Sequence, residues 1–158
     1  MPNWTFLVLH FAHAMALALW VGGMVAIGML VAPVAFAESP TPALAGRIVG
    51  SSLLRFDRLV AGCIVALGLT SVLMVRWYGR WSPWYAIEYT CLVLMSGSAL
   101  YSMTVLTPRM RKLRQQRGAQ DRDDDPQALQ EAFDRLHRTS VLSMQFNLAC
   151  GTIAILFS

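Results

Sequence analysis

Charge is scarce in this sequence. Asp, Glu, Lys and Arg make up only 14% of its 158 residues, where a soluble domain carries about 25%. Catalytic signatures are missing as well: there is no G-x-S-x-G, no glycine-rich phosphate loop and no H-E-x-x-H. Three cysteines, Cys63, Cys91 and Cys150, are odd in number and lack C-x-x-C spacing, so they read as small apolar packing residues, with soft-metal ligation as the alternative. The nine methionines form no M-x-x-M cluster, so they read as packing residues. There are only three histidines, His10, His13 and His137, and a single lysine, Lys112.

What fills the chain instead is apolar. The hydrophobic share is 56% and the mean hydropathy is +0.49. Four long runs carry it: Trp4 to Ala37, the stretch between Arg58 and Arg76, Ser82 to Pro108 with Glu88 as its only charge, and Thr139 to Ser158. Each can supply the roughly 20 residues that cross a hydrocarbon core about 30 Å thick. With no water to satisfy the backbone, such spans must be helical. The expected fold is therefore all-α: one integral membrane domain over residues 1–158, a four-helix bundle. Its helices are expected at about 4–36, 43–77, 83–107 and 126–157, with a loop over 108–125. The first run lacks a basic leader and is far longer than a signal-peptide core, so it is expected to stay in the mature protein.

The basic residues predict an orientation. Arg47, Arg55, Arg58, Arg109, Arg111, Lys112, Arg114, Arg117, Arg122, Arg135 and Arg138 fall on one side of a four-span topology, and only Arg76 and Arg80 on the other. The positive-inside rule puts the larger group in the cytoplasm and both termini outside. Trp4, Trp77, Trp81 and Trp84 fall at the expected outer surface, where amphipathic rings gather. The expected location is a bacterial inner membrane with periplasmic termini. The net charge of +4 implies contact with anionic lipid at the cytoplasmic face, not with nucleic acid.

Local signals place the helix ends. Ser39-Pro40-Thr41-Pro42 reads as a stop followed by a start. The short second connection predicts that helices two and three are antiparallel neighbours. Asp125 before Pro126 reads as an N-cap and first-turn proline. This would start helix four well before it enters lipid and project it into the cytoplasm.

Polar groups at membrane depth are costly and so mark candidate sites. An outer set comprises His10 and His13 on helix one, Glu88 on helix three, and Gln145 and Asn147 on helix four. His10 and His13 are three residues apart and share a face, which Leu17, Trp20 and Met24 continue toward the bundle. Glu88 is expected about one turn deep, near the level of His10. Two imidazoles and a carboxylate suit a divalent metal or a proton relay. They equally suit interhelical hydrogen bonding. An inner set comprises Arg55, Asp57, Arg58, Arg109, Asp134, Arg135, His137 and Arg138. Mixed charge at one depth reads as an ion-pair rim that fixes helix register, or as a lipid-headgroup site. His137 lies roughly 20 Å from the helix-one pair by helical rise, so one protomer cannot offer a bis-histidine haem site. A His/Met or five-coordinate haem remains open.

Leu9 to Met24 with Ala32-Pro33-Val34-Ala35-Phe36, and Phe133 to Ser140 followed by Asn147, resemble two signatures of a bacterial membrane family. That family is related to transmembrane protein 205, in the wider CopD-like (CopD/HemJ) group. The resemblance implies a four-helix membrane protein. Through its relatives it implies copper handling or haem b binding at His10 and His13; Glu88 joins them as a metal-ligand candidate only by the chemistry of the outer polar set. HemJ-type enzymes also use a lysine in a later helix, whereas Lys112 falls in the expected loop.

Three readings follow. The favoured one is a non-enzymatic accessory or scaffold protein that packs against a larger membrane complex or a second copy of itself. The small-residue patches Gly22-Gly23 and Ser96-Gly97-Ser98-Ala99 would permit close approach. The alternative is copper or haem handling through His10 and His13. A small transporter ranks last, since no broken-helix pair or inverted repeat is present.

Overall fold

A computed structural model describes residues 3–79, 83–119 and 126–158. They form six α-helices: α1 (Asn3–Ala26), α2 (Ala32–Glu38), α3 (Pro42–Tyr78), α4 (Pro83–Tyr101), α5 (Thr107–Ala119) and α6 (Pro126–Phe157). Short π-helical segments, Ile27–Val31 and Ser102–Leu106, join α1 to α2 and α4 to α5. Four continuous helices result, each long and apolar enough to cross a membrane: Trp4–Glu38, Pro42–Trp77, Trp84–Leu113 and Gln130–Phe157. No strand occurs among the described residues. The chain is a multi-pass, all-helical membrane protein.

The helix limits follow from local chemistry. Thr41 caps α3: its hydroxyl oxygen accepts from the Leu44 N–H at 3.3 Å, and Pro42 occupies the first turn, where its missing N–H costs nothing. Gly79 ends α3 in the left-handed region at φ 59°, and its N–H bonds the Val75 carbonyl at 3.1 Å. The third span differs from expectation: it runs through Pro108 to Ala119 instead of giving way to a loop there. Pro33 and Pro108 each follow a π-helical segment by two residues. A π turn widens the hydrogen-bond ladder just where a proline ring would strike the preceding carbonyl. The helix therefore continues, and Arg, Lys, Gln, Met and Leu beyond Pro108 are good helix formers. Asp121 to Asp125, including the expected cap at Asp125, lie outside the described residues, as do Arg80 and Trp81.

One inward stripe per helix builds the interior. On α1 it is His13, Ala16, Leu17, Trp20 and Met24; on α3, Val60, Cys63, Leu67, Thr70 and Met74. On α4 it is Glu88, Cys91, Leu92, Met95 and Ala99; on α6, Asn147, Cys150, Gly151 and Ala154. These follow the alternating three- and four-residue steps of a helix face. The outside is as apolar as the inside: Val65, Val72, Val93, Leu142 and Leu156 are all exposed. Lipid replaces water on that surface, so packing and polar contacts, not burial from water, must hold the helices together. Going round the bundle, α1 lies mainly on α3, α4 mainly on α6, and α6 closes onto α1. Helices two and three are joined by the short connection, yet the α3–α4 seam is the slightest of the four.

Candidate functional site

His13 sits at the centre of the bundle, 1% exposed. Its Nδ1 lies 2.8 Å from Thr70 Oγ1 on α3, and its Nε2 lies 2.8 Å from Glu88 Oε1 on α4. One side chain of α1 thus bridges the two neighbouring helices whose seam is the slightest. Glu88 is 3% exposed and Thr70 6%. The Thr70 hydroxyl also lies 2.8 Å from the Ala66 carbonyl and 3.1 Å from that of Leu67. Among the described residues, His13–Glu88 is the sole acid–base contact within 4.0 Å.

The other residues expected at this level behave differently. His10 is half-buried, and its ring stacks on Phe6 with centroids 5.9 Å apart. Glu88 meets His13, one turn deeper than the expected level of His10. A spacing of three residues turns a helix face by about 60°. With His13 on the bundle axis, His10 falls at the edge. Among the described residues no three His, Cys, Asp or Glu side chains converge as a metal site. Gln145 is exposed, whereas Asn147 is buried and its Oδ1 has no hydrogen-bond partner.

Two contacts that sequence reasoning did not foresee join α4 to α6. Ser98 Oγ lies 2.8 Å from Ser143 Oγ, and the buried Cys91 and Cys150 thiols lie close to each other. Thr70 was also missed. The signal was present, however: it continues the Val60-Cys63-Leu67 stripe at helical spacing, the only hydroxyl on that line.

At the opposite end of the bundle, Asp57 on α3 lies close to Thr107 and Arg111 on α5. Arg55, Arg58, Arg109 and Arg138 are exposed. Asp134 accepts from Gln130 Nε2 at 3.1 Å, and the exposed His137 stacks on Phe133 at 6.2 Å. The mixed charges of this rim therefore face outward.

With the fold and this constellation in view, comparison with known proteins places the chain. It belongs to the DUF4149 family, a domain of unknown function, which matches residues 15–119. That span takes in Thr70 and Glu88 and begins two residues after His13. No curated protein and no solved structure matches the chain. Nothing in the family match links it to transmembrane protein 205 or to CopD- and HemJ-type proteins.

Proposed function

We propose that this chain is a small, non-catalytic accessory protein that packs against a helical membrane partner, either a larger complex or a second copy of itself. The observation that carries this is the division of labour within its small-residue patches. In Gly22-Gly23, Gly23 is closed off by the Phe56 ring, while a β-carbon at Gly22 would meet nothing within 4 Å. In the second patch, Ser98 bonds Ser143 and Ala99 is buried, while Gly97 has open space before it. Ala14, Ala18 and Gly22 are all exposed and lie four residues apart on α1, the small-xxx-small spacing that lets two helix backbones approach closely in lipid. Bundle assembly does not need these outward small residues.

In this reading the protein lies in a bacterial inner membrane with periplasmic termini. All the basic residues but Arg76 and Arg80 lie on the cytoplasmic side, where anionic headgroups attract them. His13, Thr70, Glu88, Ser98 and Ser143 tie helices to one another by hydrogen bonds, a role that requires neither metal nor haem. The test is a photo-cross-linking amino acid placed at Gly22 or Gly97 in native membranes, with lipid-facing Val72 as the control position. The expected result is a discrete protein adduct from Gly22 or Gly97 and none from Val72. Lipid adducts alone from all three positions would count against a docking face.

A further inference from the structure

We infer that His13 and Glu88 form an intramembrane proton-binding site, which holds one proton more than a neutral imidazole and an ionised carboxylate would carry between them. The argument is a count of protons against short contacts. Thr70 Oγ1 to the Ala66 carbonyl, His13 Nδ1 to Thr70 Oγ1, and His13 Nε2 to Glu88 Oε1 are each 2.8 Å. Every such contact needs one proton between its two heavy atoms, because lone pairs facing each other at that distance repel. A carbonyl has no proton to give, so the hydroxyl proton of Thr70 lies toward Ala66. Oγ1 then presents a lone pair to His13, and the first imidazole proton sits on Nδ1. That leaves Nε2 facing Glu88 across 2.8 Å, and a third proton is required there. Thr70 and a neutral histidine supply two of the three; the last must be taken up from outside.

The filled site is neutral as a whole, whether as imidazolium with carboxylate or as imidazole with carboxylic acid. Neutrality suits a buried position, where an unpaired charge is costly. Among the described residues no arginine or lysine pairs with Glu88. The other titratable groups packed on the core are Tyr89 and the thiol of Cys91 on α4, and the thiols of Cys63 on α3 and Cys150 on α6. His10 is turned to Phe6. Thr70 has no charge but fixes which nitrogen holds the first proton, which makes it a positioning residue. Because the third proton lies between α1 and α4, its occupancy is coupled to the contact between those helices: with the proton gone, a bare Nε2 lone pair faces a carboxylate. The site goes beyond the packing role and can fail without affecting it.

The test is solid-state NMR on protein labelled with 15N at histidine and 13C at glutamate, in lipid bilayers. His10→Gln and His137→Gln variants leave the site intact and assign the His13 nitrogens by elimination. Glu88 is then identified by its through-space correlation with Nε2. The expected spectrum has Nδ1 protonated, together with either a protonated Nε2 and a carboxylate or a bare Nε2 and a carboxylic acid. A bare Nδ1 with Nε2–H beside an ionised Glu88 would mean one proton fewer and overturn the inference, as would the absence of any His13–Glu88 correlation.

Discussion

The Phe56 ring edge lies where a side chain on Gly23 would have to grow, while Gly22, one residue earlier, faces open space. A single peptide bond thus separates a position the bundle uses from one it leaves free. Gly23→Ala is expected to lower stability by about 1–3 kcal/mol through overpacking against a rigid ring. Gly22→Ala is expected to be neutral or to gain about 0.5–1 kcal/mol from the lost flexibility of glycine in a helix. Thermal unfolding of both variants in the same detergent checks the contrast.

His13 and His10 form a second pair of opposites. His13→Ala leaves Glu88 buried among apolar neighbours without its partner, which costs about 3–5 kcal/mol for a broken buried pair. His10→Ala removes a half-buried ring stacked on Phe6 and should cost about 1 kcal/mol or less, as for one aromatic contact. Denaturant titrations followed by tryptophan fluorescence would rank the two. Equal losses would contradict the central place given to His13.

Thr70 tests the hydroxyl directly. Thr70→Val keeps the shape and removes the acceptor for His13, with an expected loss of about 0.6–1.7 kcal/mol, the range for interhelical hydrogen bonds in membranes. Thr70→Ser keeps the hydroxyl and should restore most of that loss. The same titrations read both variants.

The tryptophans should also divide. Trp20 is 1% exposed in the core, whereas Trp4 is 76% exposed near the end of the bundle that carries the termini. Trp20→Ala is expected to cost about 3–5 kcal/mol, as for large core truncations. Trp4→Ala should leave the unfolding midpoint nearly unchanged.

These contrasts show how far the sequence could be read. The four spans, the Thr41–Pro42 start and the His13-Leu17-Trp20-Met24 stripe were legible because they depend on runs and periods within one helix. The run of α5 beyond Pro108 was not, since a proline stops a helix unless a π turn precedes it, and no residue type announces that turn. The pairing of Glu88 with His13, in place of His10, was hidden for a different reason. It depends on the vertical register of α1 against α4, and residues 75 apart in sequence carry no periodicity that fixes it. Thr70 was within reach of the same stripe argument that found Trp20. It was overlooked because a threonine in an apolar run usually bonds its own helix, as Thr90 and Thr104 do.

The most direct test of the account is native mass spectrometry of the protein extracted from its own membrane, wild type beside Gly22→Leu and Gly97→Leu. Both glycines have room for a larger side chain within the chain itself, so both variants should fold. The account predicts that wild type carries an added mass, of a second copy or of another helical protein, and that at least one variant loses it while keeping its unfolding midpoint. A lone protomer in every sample, or an assembly that neither leucine disturbs, would contradict it.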